Sequence, residues 1–191
     1  APRVTAIRRM SRLTVGAMGS MYGGKIQLIS TESGAGVRHE GSIIATGDIE
    51  ISANGDVTLT GLRSDKNVTV SGNNIALNKN SSGTGSAEAQ NNIILHALSG
   101  MTVNNDVISR NGTIRIDAST LLQNTAAIIA QNSATTAVPA IQINVAGQYT
   151  LSGKLKALDA NGAVISGGVV TLKNGDFVVI QIGRASCRER V

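Results

Sequence analysis

Few residues in this sequence have the types and spacing that chemistry requires. The two histidines are His39 and His96. A metal site needs several His, Cys or carboxylate ligands that converge on one point, and neither histidine has such residues close by in the sequence. We therefore expect both histidines to lie on exposed turns or strand faces. The sequence predicts no metal site and no cofactor.

The acidic residues of the middle of the chain occur singly rather than in pairs. They are Asp48, Asp56, Asp65, Asp106 and Asp117. Hydrolysis of a glycosidic bond needs two carboxylates about 5–10 Å apart. Asp48 and Asp56 instead precede short apolar runs beside Gly or Asn, where a carboxylate commonly caps a turn. We therefore predict a protein that is not an enzyme.

Motifs for phosphate, calcium and nucleic acid are missing from the sequence. Gly23-Gly24-Lys25 has neither the earlier glycine nor the following Ser or Thr of a phosphate-binding loop. Gly167-Gly168 continues into valines rather than into a calcium-binding nonapeptide. Single-stranded nucleic acid binds to aromatic platforms beside basic residues, but aromatic residues make up only 2% of the chain. The sequence therefore predicts no nucleic-acid partner.

The positive charge of the chain lies at its two ends. The 191 residues carry a formal net charge of +5, and seven arginines account for it: Arg3, Arg8, Arg9, Arg12, Arg184, Arg188 and Arg190. Residues 14–180 hold ten basic and eleven acidic residues. A basic balance of this origin does not indicate a phosphate-binding face. No uncharged apolar stretch approaches the roughly 18 residues of a membrane helix, so stable membrane insertion is not predicted either.

The composition of the ends suggests a division of the chain into three parts. Residues 181–191 read QIGRASCRERV, which is similar to the translation of a sequencing-adapter oligonucleotide, so we interpret them as non-native. They contain Cys187, the only cysteine, which leaves the body without disulfides or Cys-based zinc sites. Residues 1–15 form an Arg-rich N-terminal segment. Residues 16–180 form the repetitive body, and we expect it to be a fragment of something longer.

The body is built from short triplets in which apolar residues alternate with other residues, a pattern typical of half-buried strands. The clearest are IEI at 49–51, VTL at 57–59, VTV at 68–70, IAL at 75–77, IIL at 93–95, MTV at 101–103 and IRI at 114–116. They occur in pairs offset by 7 or 8 residues, and the pairs recur every 19–25 residues. The longest of these steps contains Ser81–Glu88, which we expect to be an inserted polar loop.

A period of about 20 residues with two or three short strands has few structural solutions. Leucine-rich repeats need a helical return, and propeller blades need about forty residues. An antiparallel sandwich remains an alternative. The parallel β-helix explains the paired offsets best, with aliphatic side chains inside and stacked Asn side chains at the turns. The register predicts that six residues point inward: Ile51, Leu59, Val70, Leu77, Leu95 and Ile116. Residues 121–139 form either an irregular rung with a loop or a short helix.

The segment 16–41, GAMGSMYGGKIQLISTESGAGVRHEG, carries the most specific motif. It resembles the segment GGMYAGKI.L..TEAGVGVRN.G that precedes the repeats of the filamentous haemagglutinin family, which includes the shafts of contact-dependent inhibition toxins. The departures are Ser20, Gly23, Ser33, Ala35 and His39. The matching residues are Gly16, Met21, Tyr22, Gly24, Lys25, Ile26, Leu28, Thr31, Glu32, Gly34, Gly36, Val37, Arg38 and Gly41.

The resemblance implies an all-β protein, a segment of a secreted filament with a right-handed parallel β-helix. It further implies two-partner secretion through an outer-membrane barrel transporter, a location at the bacterial cell surface, and a shaft of an adhesin or toxin. Receptors or glycans of host or neighbouring cells are the partners that such a protein would meet. From the residues alone, we expect Glu32 to pair with Lys25 or Arg38, or to accept backbone hydrogen bonds in a turn. The alternative is a polysaccharide-active β-helix enzyme, a lyase or glycosidase, which would show three or more carboxylates in one groove.

Overall fold

The computed structural model describes residues 12–15, 19–80, 85–131, 140–164, 170–174 and 177–181. Every regular element within these ranges is a β-strand. The strands are β1 (Arg12–Val15), β2 (Met21–Gly23), β3 (Ile26–Ser30), β4 (Gly36–Ala45), β5 (Ile49–Ala53), β6 (Val57–Ser64), β7 (Val68–Gly72), β8 (Ile75–Leu77), β9 (Ser86–Ala89), β10 (Ile93–Ala97), β11 (Gly100–Val103), β12 (Asp106–Ser109), β13 (Ile114–Ala118), β14 (Thr120–Gln123), β15 (Ala127–Ala130), β16 (Ile141–Val145), β17 (Tyr149–Leu151), β18 (Lys154–Ala157), β19 (Val170–Asn174) and β20 (Phe177–Gln181).

The strands wind into a parallel β-solenoid with three faces. The first face stacks β3, β5, β7, β10, β13, β16 and β19 in parallel. Strands β4 and β6 each bend across a corner, because their first residues pair on the second face and their last residues pair on the third. Further along the chain, β8, β11, β14 and β17 continue the second face, and β9, β12, β15 and β18 continue the third. The predicted parallel β-helix is confirmed.

The length of the repeat varies along the rod, mainly in the connections between the strands. The first residue of β3, Ile26, lies in one column with Ile49, Val68, Ile93, Ile114 and Ile141. These five steps make about five turns, which is about 24 Å of rod at roughly 4.8 Å per rung. The two longest steps, from Val68 to Ile93 and from Ile114 to Ile141, contain the long connections from β8 to β9 and from β15 to β16.

The interior is a continuous column of aliphatic side chains. All six residues predicted to point inward are at most 1% exposed: Ile51, Leu59, Val70, Leu77, Leu95 and Ile116. Their outward neighbours Glu50, Thr58 and Thr69 are half-buried, and Arg115 is exposed, so the predicted register is confirmed. Burial of one Val, Leu or Ile side chain contributes about 1.5–3 kcal/mol to stability. The core therefore needs no aromatic ring to hold a narrow solenoid together.

Two local expectations need correction. The end of the expected polar insertion Ser81–Glu88 is strand, because β9 pairs with β6 and β12 and buries Ala87 and Ala89. The part of 121–139 that the structure describes is regular, since β14 and β15 supply two faces of an ordinary turn. Residues 132–139 lie outside the described ranges.

The antiparallel sandwich is excluded for the described strands. Apart from one isolated bridge between Leu158 and Val164, the antiparallel pair that the structure shows is β19 with β20. The turn signal at Asn174-Gly175 lies between these two strands in the sequence, and Gly175 is outside the described ranges. Strand β1 lies in the Arg-rich N-terminal segment and pairs in parallel with β4. The division of the chain at residues 15 and 180 stays a prediction.

Candidate functional site

The outer side of the first face carries a cluster of polar side chains. Because β10, β13 and β16 are stacked in register, their outward residues form columns that cross the rungs. Where these three strands end, the columns border an open groove of about 620 Å³. Its lining includes His96, Leu98, Arg115, Asp117, Gln142 and Asn144.

Asp117 is the carboxylate among the residues that line this groove. Its carboxylate accepts a hydrogen bond of 2.7 Å from Arg115 Nε and one of 2.6 Å from Asn144 Nδ2 on the next strand. Partial burial by itself would raise the pKa of Asp117, but these hydrogen bonds and the charge of Arg115 outweigh it and lower the pKa. Asp117 therefore stays ionised and joins two rungs, which is the opposite of what a general acid requires.

The register also places Ser71, His96 and Asp117 in one outward column. A nucleophilic triad requires the histidine to be hydrogen-bonded to both the serine and the carboxylate. Ser71 Oγ instead donates to Ser52 Oγ at 3.1 Å, and Asp117 is bonded to Arg115 and Asn144. Within the described residues no hydrogen bond joins His96 to either partner. The three side chains therefore lie in one column without the contacts of a hydrolase.

The two histidines lie in different environments. His96 is exposed, as expected, whereas the expectation is wrong for His39, which is 1% exposed. His39 takes an inward position on β4, in register with Leu59 on β6. Its flanking residues Arg38 and Glu40 are polar, so the local sequence concealed its burial. Nowhere in the described ranges do three His, Cys, Asp or Glu side chains come together to hold a metal ion.

A ladder of polar side chains follows the corner that precedes the first face. Asp48 Oδ1 accepts hydrogen bonds from the backbone N and the Nδ2 of Asn67, at 3.2 and 2.9 Å. Asn67 Oδ1 in turn accepts from the backbone N of Asn92 at 3.1 Å, and Asn92 Oδ1 accepts from that of Thr113 at 2.9 Å. The predicted stacking of turn amides along the axis is therefore confirmed for this corner. Asp48 therefore caps the turn through its carboxylate, as expected.

The corners on either side of the second face carry similar ladders. Before that face, Asp56 Oδ1 accepts from Asn74 Nδ2 at 2.8 Å, and Asn74 Oδ1 accepts from the backbone N of Gly100 at 2.9 Å. After it, the amides of three asparagines are linked by hydrogen bonds of 2.7 Å. These are Asn78, Asn104 and Asn124. Each ladder ties a turn to its neighbours where the strands themselves are interrupted.

Replacing Asn67 with Ala is expected to lower the free energy of unfolding by about 1–3 kcal/mol, because hydrogen bonds to both neighbouring turns are lost. Chemical denaturation followed by circular dichroism measures this change. The matched control is Lys66→Ala at the adjacent exposed residue, which should change stability by less than about 0.5 kcal/mol. Equal losses in the two variants would contradict a stabilising ladder.

Two buried amides, which the sequence analysis missed, hold the corner between the second and third faces. Asn105 is 1% exposed, and its Nδ2 donates to the carbonyls of Thr60 and Asn78 at 2.6 and 2.9 Å. Gln123 is fully buried, and its Nε2 donates to the carbonyl of Ala126 at 2.7 Å. Each side chain lies against a glycine of an adjacent turn, Gly85 and Gly153 respectively. The sequence alone gave no signal for these buried amides, because only the fold brings each glycine against its amide.

The matching glycines of the 16–41 motif that the structure describes lie where the backbone turns or where turns approach closely, and Gly16 lies outside the described ranges. Gly34 has φ of +73°, which favours glycine. A Cβ at Gly36 would overlap the carbonyl oxygen of Asp56 on the next turn, and a Cβ at Gly41 would overlap that of Gly19. Gly41 also lies at the irregularity in the pairing of β4 with β6. Gly24 lies in an exposed turn, where a Cβ would meet nothing within 4 Å.

The other apolar and aromatic motif residues divide between core and surface. Val37 is buried and Met21 packs against the core, whereas Tyr22 is 71% exposed. The carbonyl of Thr31 accepts a hydrogen bond of 2.6 Å from Asn54 Nδ2 on the next turn.

The charged motif residues are on the surface. Lys25 and Glu32 are both exposed. The expected pairing of Glu32 with Arg38 is wrong, because Arg38 pairs with Glu40. Glu32 takes part in a turn through its backbone, since its carbonyl accepts from Ala35 N at 3.0 Å.

Comparison with known proteins finds similarity to CdiA and IbpA proteins. The chain is 29% identical over 180 residues to the 16S rRNA endonuclease CdiA of Enterobacter cloacae, a match that covers 91% of the chain and 5% of the relative. It is 32% identical over 128 residues to the tRNA nuclease CdiA of Escherichia coli strain NC101, covering 61% of the chain and 4% of the relative. The chain is a homologue of CdiA-type exoproteins. A third relative, the protein adenylyltransferase and cysteine protease IbpA of Histophilus somni, is 30% identical over 100 residues, which cover 41% of the chain and 2% of the relative.

This homology confirms the resemblance to two-partner-secretion exoproteins of the filamentous haemagglutinin type. No family model and no solved structure matches the chain. The chain spans only about 5% or less of the length of the CdiA and IbpA relatives, so the catalytic names belong to those whole proteins. Among the described residues, no helix has the length and apolar character needed to cross a membrane.

Proposed function

We propose that this chain is a structural segment of the shaft of a large secreted adhesin or toxin-delivery exoprotein. The observation that carries the proposal is the unbroken register of the first face over five turns, from β3 to β16. Each turn rests on the previous one through backbone pairing, polar corner ladders and an aliphatic core. Such a rod keeps the distal binding or toxic regions of the same polypeptide away from the cell surface by its length and stiffness.

The enzyme alternative has less support from the surface of the described residues. A lyase or glycosidase would need several carboxylates converging in a groove. The groove at the ends of β10, β13 and β16 is lined by one carboxylate, Asp117, which Arg115 and Asn144 already occupy. Asp48 and Asp56 are engaged in the corner ladders. These contacts favour a rod over a catalytic groove.

The partners and the location follow from the kind of protein to which the chain is homologous. Export would use the outer-membrane barrel transporter of two-partner secretion, and the shaft would extend from the bacterial cell surface. Receptors or glycans of neighbouring or host cells would be contacted by regions that the shaft presents. In this proposal residues 16–180 form the shaft segment, and the motif residues of 16–41 have structural roles only.

Deletion of one complete turn tests the shaft proposal. Removal of residues 93–113 joins Asn92 to Ile114, so that β13, β14 and β15 take the places of β10, β11 and β12 in the register. In the full-length exoprotein, this deletion is expected to leave secretion and inhibition of neighbouring cells, or adhesion, close to the wild-type level. If the function instead resides in the groove, inhibition or adhesion should be lost, because the deletion removes His96.

The matched control is a smaller deletion that breaks the register. Removal of residues 93–103 takes away β10 and β11 but leaves β12, so the three faces no longer align. We expect this 11-residue deletion to abolish secretion or folding, although it removes about half as many residues. Loss of activity after the complete-turn deletion, with normal secretion, would overturn the shaft proposal and favour a local site.

A further inference from the structure

His39 is a titratable side chain buried in an otherwise uncharged core. The residue is 1% exposed, and neither Nδ1 nor Nε2 of its ring has a hydrogen-bond partner. It lies at the irregularity of β4, between the regular pairings of His39 and Ser42 with β6. A buried polar group without a partner costs stability, and a charged one costs more.

Among the described residues around His39, the backbone of Gly41 favours the imidazolium ion, but no carboxylate is buried beside the ring. In register, His39 meets Leu59 on β6, while the hydroxyl of Thr60 donates to the backbone carbonyl of His39 and not to its ring. On β4 itself, Arg38 and Glu40 pair with each other on the outside. On the other side of β4 the register partner is Val15 of β1.

The rest of the described core is also without a counter-charge. Its buried polar residues besides His39 are Thr60, Ser64, Asn105, Ser109 and Gln123, so no described carboxylate is buried. Lys25, at the beginning of β3, is exposed.

We propose that His39 makes the first turn of the solenoid acid-sensitive, so that this turn loosens when the pH falls below about 6.5 while later turns remain closed. The mechanism is protonation of a ring that the folded first turn holds neutral and dry. The chain has only one other histidine, His96, which lies on the outside three turns further along. Acid sensitivity is therefore confined to one end of the described rod.

The direction of the effect follows from linkage. Burial lowers the pKa of His39, and the nearby backbone of Gly41 offsets only part of that shift. The unfolded chain therefore binds a proton more readily than the folded chain. The loss of stability begins as the pH falls below the unfolded pKa of about 6.5, and it is complete once the pH has fallen through the lower pKa of the folded state.

The test compares thermal unfolding of the 191-residue chain at pH 7.5 and pH 5.0 with that of two His39 variants. His39→Leu matches the Leu59 and Leu77 that follow in the same column, and His39→Gln keeps a polar side chain that does not titrate. The wild type is expected to lose several degrees of Tm more than either variant on acidification. The matched control, His96→Gln, should keep the full wild-type loss.

Hydrogen exchange locates the effect along the chain. At pH 5.0, amides of β4 should exchange several-fold faster in the wild type than in His39→Leu, whereas amides of β13 should exchange equally. At pH 7.5 the difference between the two proteins in β4 should be several-fold smaller than at pH 5.0, and β13 should again exchange equally. The proposal would be overturned if acidification lowered the Tm of the wild type and of both His39 variants equally. It would also be overturned if NMR titration of the folded wild type showed His39 protonated at pH 6.5.

Discussion

Replacing Val70 with Asp should reduce the free energy of unfolding by roughly 3–5 kcal/mol. Val70 is fully buried on β7, in register with Ile51 on one side and Leu95 on the other. The new carboxylate would meet only aliphatic side chains and would have no counter-charge. The solenoid cannot easily turn it outward, because a shift of one residue would move every side chain of the strand to the opposite face.

Thr69→Asp is the matched control for this prediction, because it introduces the same side chain one residue earlier. Thr69 points outward, between Glu50 and Ile94. A carboxylate there is hydrated, and proximity to Glu50 costs at most about 1 kcal/mol. Urea unfolding monitored by circular dichroism measures both variants. Similar losses at the two positions would show that the inward and outward assignments of β7 are wrong.

The first two faces of the solenoid were predictable because their inward residues are bulky. Triplets such as 49–51 and 57–59 alternate Ile, Val and Leu with polar residues, and this pattern indicates a half-buried strand without any tertiary information. The offset of 7 or 8 residues within each pair corresponds to the distance from the first face to the second. The pairing of the triplets therefore predicts where the corner between the first and second faces lies.

The third face could not be recognised in the same way. Its strands β9, β12 and β15 end inward with Ala89, Ser109 and Ala130, which are small residues that also occur in turns. Ser109 additionally bonds the carbonyl of Asn91 across the following corner, as Ser64 bonds that of Gly47. Small inward residues let the chain close its turn, but they remove the alternation by which a strand is recognised.

The prediction that His39 is exposed failed for a different reason. The strand alternation that indicates its burial is present in the sequence, but the neighbouring residues are polar. Val37 is an inward residue of β4, and strand geometry places residue 39 on the same side. The polar run Arg38-His39-Glu40 hides this alternation when the segment is judged by composition alone. Strand periodicity was the better guide to the burial of His39, because it depends on backbone geometry and not on the identity of one side chain.

Replacing Gly36 with Ala should cost roughly 1–3 kcal/mol, although it adds a single methyl group. Gly36 begins β4, and a Cβ there would overlap backbone atoms of Asp56, which precedes β6 on the next turn. Backbone atoms cannot rotate away as a flexible side chain can. The clash must therefore separate the two turns at a corner where Asp56 also begins a polar ladder.

Gly24→Ala provides the matched comparison within the same motif, because a Cβ at Gly24 would lie in open space. We expect that variant to change stability by less than about 0.5 kcal/mol. Thermal and chemical unfolding of both variants would show whether the glycines of the motif differ as the packing of turns requires. If Gly24→Ala were as damaging as Gly36→Ala, close approach between turns would not explain the glycine at 36, and the motif would need a reason outside the solenoid.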